Sequence, residues 1–251
     1  MSPLWIPLLP LLAAQAISAR RRALRLPEPS GAREGSEGAG PQLKLLVLGD
    51  SAAAGVGVSN QRWALTGQLV AALSIDHRVE WRLLAQTGAT TASALDALPQ
   101  LAGHRYDVVV TSLGVNDLTR GRTAQRFARL QSELFDTLRA QHGASLLLAS
   151  GLPPVHRFPA LPQPLRRFLG GRAQQLDAAL ATLAARRGDV VHMPLEFHAD
   201  MDASAMAEDG LHPGMPAYRE WARRLETRIR CAPELAHLRD PAAVVHTGIH
   251  G

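Results

Sequence analysis

From Gln42 onward, short continuous apolar runs alternate with stretches of helical spacing. Residues 43–48 are almost wholly apolar and stop at Gly49, the pattern of a strand buried on both faces. Residues 63–73 carry Leu65, Leu69 and Leu73 at helical intervals, and residues 79–85 form a second strand candidate. A helix is expected over 91–101, capped by Thr90 or Thr91, and a third strand over 107–113 around Val108, Val109 and Val110. Residues 119–141 predict a long helix with Phe127, Leu130, Leu134 and Leu138 on one face, stopped at His142-Gly143. A fourth strand follows at 144–149 and a second long helix at 164–187, closed by Gly188. Val190 and Val191 mark a fifth strand, and 215–230 the last helix. Strands that alternate with helices, with few hairpin signals, predict an α/β domain whose parallel sheet is covered by helices on both faces.

The ends of the chain differ from this core. Residues 1–26 begin as an apolar run, Leu4 to Ile17, interrupted by Pro7 and Pro10 and followed by Arg20, Arg21, Arg22 and Arg25. A membrane span needs about 20 apolar residues, so the run is short for one. A secretory signal places positive charge before its apolar region, whereas here the arginines come after it, although Ala14-Gln15-Ala16 fits a cleavage site. Three placements fit: a membrane-surface or short inward-facing anchor, a cleaved signal, or an apolar segment packed on the domain. For an anchor, the positive-inside tendency keeps the arginines and the domain in the cytoplasm, with a periplasmic or secreted location as the second expectation. Residues 27–41, rich in Gly, Pro, Ser and Glu, read as a linker, the domain occupies 42–230, and 231–251 read as a tail in which His246 and His250 face solvent.

Composition narrows the chemistry. One cysteine, Cys231, excludes an internal disulfide and a cysteine-based zinc cluster within one chain. The net charge is +5, and five arginines against three glutamates before Pro41 account for +2 of it. Lys44 is the sole lysine, and no long basic run with interleaved aromatics marks a nucleic-acid surface.

Four short motifs fall at strand ends or in a loop that can reach them, where open α/β sheets build their sites. Gly49-Asp50-Ser51 puts a serine at or near a helix start, with its own N–H free to meet an oxyanion. Gln86-Thr87-Gly88 leaves a backbone N–H unobstructed by a side chain. Gly114-Val115-Asn116-Asp117 supplies an amide NH₂. Asp209-Gly210-Leu211-His212 spaces a carboxylate within reach of an imidazole. Each also has a plain reading, as a helix cap, a turn or a surface loop. Together they offer a serine, a base to take its proton and a carboxylate to orient the base, which points to ester hydrolysis. The Gly-x-Ser-x-Gly elbow is not present, because Ala53 stands at its last position, and no dinucleotide or Walker fingerprint follows a strand.

In order and spacing these motifs resemble the conserved blocks of the SGNH hydrolases, the GDSL esterases and lipases, over roughly residues 42–230. The resemblance is greatest to the bacterial branch holding a periplasmic thioesterase and lysophospholipase. It implies a flavodoxin-like three-layer α/β/α sandwich with a five-stranded parallel sheet. It implies Ser51 as nucleophile, His212 as base and Asp209 as orienting carboxylate. The Ser51 N–H, Gly88 N–H and Asn116 side chain then form the oxyanion hole, with no metal and no cofactor. The family's usual Leu after the serine is Ala52 here. Asp50 and the apolar loop residues Leu152, Pro153, Val155 and Phe158 are the expected substrate-binding set. The expected partner is a small-molecule or lipid ester, with short to medium acyl esters or lysophospholipids favoured and an O-acetyl carbohydrate esterase or acyltransferase on the same fold as the alternative. A non-catalytic membrane-associated binding module is the alternative of another class. Membrane contact is expected through residues 1–25, and no nucleic-acid partner is expected.

Overall fold

The computed structural model describes residues 3–195 and 205–239. His246 and His250 lie outside them. Six strands form one sheet: β1 (Glu34–Glu37), β2 (Gln42–Gly49), β3 (Arg78–Ala85), β4 (Val108–Ser112), β5 (Leu146–Ser150) and β6 (Val190–Met193), in the order β1-β3-β2-β4-β5-β6. β2 to β6 are parallel, as the alternation of strand and helix predicts. β1 is antiparallel to β3 and comes from the segment read as a linker. All four of its residues are exposed, so it carries no apolar pattern to betray it; edge pairing alone makes it a strand.

Nine helices accompany the strands among the described residues: α1 (Leu9–Arg22), α2 (Ser51–Ala54), α3 (Leu65–Leu73), α4 (Thr91–Ala97), α5 (Val115–Thr119), α6 (Ala124–His142), α7 (Leu165–Arg187), α8 (Met215–Arg230) and α9 (Ala236–Arg239). Successive strand residues point to opposite faces, and β2 is apolar on both. Leu46 and Leu48 meet α4, α6 and α7 through Ala94, Phe127, Phe135, Leu176 and Leu180. Leu45 and Val47 meet α3 and α8 through Leu65, Leu69, Trp221 and Leu225. The result is a three-layer α/β/α sandwich. Part of the segment read as a tail belongs to it, since Ala232 and Leu235 are buried against the α3–α8 layer.

Where helices begin and end, local chemistry decides. The helix expected over 91–101 gives way at Ala97 to a 3-10 turn, because Pro99 has no N–H to continue the ladder. The helix expected over 119–141 starts only at Ala124, and Thr119 instead ends the short α5. Gly121 turns the chain at φ +76°, and Thr123 then caps α6 by accepting from the Arg126 N–H. The helix expected over 63–73 starts at Leu65, after a separate 3-10 turn over Gln61–Trp63.

The register positions the site. Gly49 pairs with Ala85 on one side and Ser112 on the other, so β2, β3 and β4 end at one level. The chain runs from β2 outward to β3, then crosses back to β4 on the far side of β2, which opens a crevice at the carboxyl ends of these three strands. A Cβ at Gly49 would collide with the Ser112 carbonyl and Ala53, so only glycine lets the strands stay this close where the chain turns.

Candidate active site

Ser51 is the first residue of α2, immediately beyond β2. Asp50 caps the helix by accepting from the Ala52 N–H. α2 is only four residues long, and it is held from below: the buried Tyr218 hydroxyl on α8 donates to Ala52 O at 3.0 Å and Val56 O at 2.7 Å. The Ser51 hydroxyl therefore sits on a fixed turn.

Asp209 and His212 come from a loop tied to itself. Asp209 Oδ1 accepts from the Leu211 and His212 N–H groups at 2.9 and 3.0 Å, and the Ala207 N–H donates to His212 O at 2.9 Å. His212 Nδ1 lies 2.5 Å from Asp209 Oδ2, and His212 Nε2 lies 2.8 Å from Ser51 Oγ across 161 positions of sequence. The Asp209 side chain is 1% exposed. Burial pushes its pKa up, but hydrogen bonds from the His212 ring and from the His212 and Leu211 backbones outweigh that and hold it below the usual carboxylate range. A carboxylate at Asp209 can accept a hydrogen bond from Nδ1–H, the tautomer in which Nε2 faces Ser51 Oγ as an acceptor.

Gly88 follows β3 at φ +84°, with open space where a Cβ would stand. The Ser51 N–H, at the start of α2, and the Gly88 N–H have no acceptor among the described residues. Asn116, on α5, donates from Nδ2 to Ala89 O at 3.0 Å and lies 3.4 Å from Asp50 Oδ2, a contact too long to hold that hydrogen firmly. Three donors thus come from the three loops at the end of β2, β3 and β4.

The sequence reading missed the residues that hold these loops together. Asp117 is fully buried, accepts from the Thr91 N–H at 2.9 Å and the Thr91 hydroxyl at 3.0 Å, and pairs with Arg122 at 3.0 Å, joining the loop after β3 to the loop after β4. Arg120 Nη2 donates to Gly88 O at 3.2 Å. Glu28, from the segment read as a linker, accepts from Thr87. Asp117 stood inside a recognised motif, whereas nothing in the residues around Glu28 marks it out.

The expected substrate-binding residues are placed differently. Asp50 is 4% exposed and turned to Ala52 and Asn116 rather than to an open cleft. Burial, and to a lesser degree the charge of Asp117, push its pKa up to about 7 against the pull of the Ala52 N–H. Leu152, Val155 and Phe158 are 6%, 3% and 6% exposed and belong to the core layer with Leu113 and Leu118; only Pro153 is half-buried. The cause is burial of apolar area, reinforced by Asp177 Oδ1, which accepts from the Leu152 N–H at 2.9 Å and faces His192 Nε2 at 2.9 Å. The loop still borders the site, because Leu152 packs on Gly114, and Pro159 and Ala160 abut Gly210.

A model of the GDSL-like lipase/acylhydrolase family matches residues 47–220. Esterase TesA of Pseudomonas aeruginosa is 32% identical over 176 residues, covering 69% of this chain and 81% of that protein. A crystal structure of TesA has the same fold, with a TM-score of 0.58 at 24% identity over 78% of this chain and 99% of that one. The native M. smegmatis aryl esterase does too, with a TM-score of 0.57 at 22% identity over 75% of this chain and 99% of that one.

Proposed function

Because this chain belongs to the GDSL-like lipase/acylhydrolase family and is a carboxylic ester hydrolase, we propose that it works through Ser51, His212 and Asp209 and a covalent acyl-enzyme. The observation that carries this is His212 lying between Ser51 Oγ at 2.8 Å and Asp209 Oδ2 at 2.5 Å. Ser51 Oγ attacks the ester carbonyl as His212 Nε2 takes its proton. The carbonyl oxygen, now an oxyanion, receives hydrogen bonds from the Ser51 N–H, the Gly88 N–H and Asn116 Nδ2. Collapse of this intermediate breaks the bond to the alcohol, which leaves with the proton from His212. Water then gives its proton to His212 and attacks the acyl-enzyme, and the carboxylic acid is released as Ser51 recovers its hydrogen.

The substrate side of the proposal is an ester with a short to medium acyl chain, or a lysophospholipid. The loop after β5 turns Leu152, Val155 and Phe158 into the core beside Gly114, so these three side chains offer little surface to a long acyl chain. A series of p-nitrophenyl esters from two to sixteen carbons tests this. The wild type is expected to show kcat/KM falling at the long end, with His212→Ala inactive throughout. A rate that climbs steadily to the longest chain contradicts the acyl-length assignment, and an active His212→Ala contradicts the mechanism.

The lysophospholipid reading draws on α1. α1 docks on α7 through Gln15 Oε1, which accepts from the Leu165 N–H at 3.1 Å, and Trp5, in the 3-10 turn Pro3–Leu8 before α1, meets Phe168 edge-on at 5.3 Å. Away from α7, Ile6 of that turn is 58% and Ile17 of α1 54% exposed, with Leu9 and Leu11 also exposed, and α1 ends in Arg20, Arg21 and Arg22. Among the described residues no helix is long and apolar enough to cross a membrane. An apolar helix face ending in arginines suits the surface of an anionic bilayer, and we assign residues 1–25 to that contact.

A further inference from the structure

The segment before β2 lies outside the residues matched by the family model, which begin at 47, yet it reaches the candidate site. Glu28 Oε1 accepts from the Thr87 N–H at 2.8 Å and from the Thr87 hydroxyl at 2.7 Å. Its other oxygen accepts from Arg33 Nη1 at 2.9 Å. Arg33 Nη2 in turn donates to the Ala85 carbonyl, at the last residue of β3, and the Leu83 N–H donates to Arg33 O at 2.7 Å. β1 then continues along β3, with Glu34 opposite Arg82. Residues 28–37 therefore form a strap on the edge of the sheet whose first side chain holds the residue before Gly88.

Gly88 needs such a hold. It has no side chain, it sits at φ +84°, and no atom lies within 4 Å of the place a Cβ would occupy, so no side-chain packing helps to fix it. The Ala89 N–H closes the turn on Gln86 O at 3.0 Å, and two further hydrogen bonds tie the turn to its surroundings. Arg120 holds the Gly88 carbonyl from the α5 side, and Glu28 holds Thr87 from the strap side. The Gly88 N–H belongs to the peptide between Thr87 and Gly88, and the two tethers act on either side of that peptide.

We propose that Glu28 is a positioning residue for the oxyanion-binding turn, acting through Thr87 to aim the Gly88 N–H. The inference rests on the hydrolase mechanism proposed above. An N–H that is displaced loses most of its value to a transition state, because a preorganised donor costs nothing to reorient during the reaction. Loss of a whole donor costs about 10²–10³ in kcat, so misaiming one is expected to cost about tenfold.

The test compares Glu28→Ala, Glu28→Gln and Thr87→Ala in the full chain, measuring kcat and KM for a soluble p-nitrophenyl ester together with Tm. Glu28→Ala is expected to lower kcat about tenfold with KM nearly unchanged. Glu28→Gln keeps an oxygen for both Thr87 donors and is expected to recover most of that loss, although it gives up the charge facing Arg33. The double variant Glu28→Ala/Thr87→Ala is expected to be no slower than Glu28→Ala, since both changes break one linkage. A Glu28→Ala enzyme with wild-type kcat overturns the proposal, whether or not its Tm falls. So does a rise in KM at constant kcat, or a Glu28→Gln as slow as Glu28→Ala. Failure of the underlying mechanism is separable, because it would show as hydrolysis surviving in Ser51→Ala.

Discussion

Asn116 and Asp50 show how much the candidate site depends on single atoms. Asn116 Nδ2 shares one hydrogen with Ala89 O and keeps the other on only a long contact with Asp50. Asn116→Ala removes a side-chain donor from the proposed oxyanion hole, and kcat for a soluble ester is expected to fall about 10²–10³-fold with little change in KM. Asp50 is a buried acid whose pKa is pushed up to about 7 from the ordinary 3.8. The fold therefore favours its protonated form, and as pH rises from about 4 through 7 its ionisation draws down stability. Asp50→Asn keeps the cap on Ala52 without that titration. The Tm of the variant relative to wild type is expected to rise between pH 5 and pH 8.5, and a constant difference contradicts the assignment. Ser51, Asp209 and His212 were legible in the sequence because nucleophilic chemistry demands those residue types near strand ends. Glu28 was not, since its partner lies 59 positions away and nothing local distinguishes it from a solvated charge. The burial of Asp50, Leu152, Val155 and Phe158 was equally invisible, being set by what packs over them.

The smallest helix that matters is α2, and a larger one supports it. α8 places the Tyr218 hydroxyl on two carbonyls, Ala52 O and Val56 O, and Trp221 Nε1 on the Ser150 hydroxyl at 3.2 Å. Tyr218→Phe leaves Val56 O without this donor and Ala52 O with the Gly55 N–H at 3.2 Å alone. A buried polar group left unsatisfied costs about 1–3 kcal/mol, and in a domain of this size each kcal/mol lowers Tm by about 2–4 °C. A thermal melt is expected to show a loss of several degrees, and an unchanged Tm contradicts this account of α2. The same scale explains which elements the sequence foretold. β2 to β6 were legible because a sheet covered on both faces needs continuous apolar runs. β1 was not, because its four residues are exposed and its pairing with β3 is a tertiary choice. The break between α5 and α6 at Gly121 was missed because the apolar spacing runs on past it while backbone geometry does not.

For the molecule as a whole, the residues around the conserved blocks add two surfaces to the hydrolase sandwich: a strap along the open edge of β3, and α1 seated on the start of α7. α1, the α7 start and the loop that abuts Gly210 are neighbours, so a bilayer held by α1 would lie on the same side of the molecule as that loop. Flotation with anionic and zwitterionic vesicles, with and without residues 1–25, tests the contact. Binding is expected for the full chain on anionic vesicles only, weakening with salt, while the shortened protein stays unbound and still cleaves soluble esters. Equal binding by the shortened protein contradicts the role given to α1. The central claim is that His212 activates Ser51. Its most direct test is reaction of the purified protein with a fluorophosphonate probe, read by intact mass beside Ser51→Ala. A single adduct on the wild type and none on the folded variant is the predicted result. A folded wild type that takes no label, or a Ser51→Ala variant that takes it equally, would contradict the account.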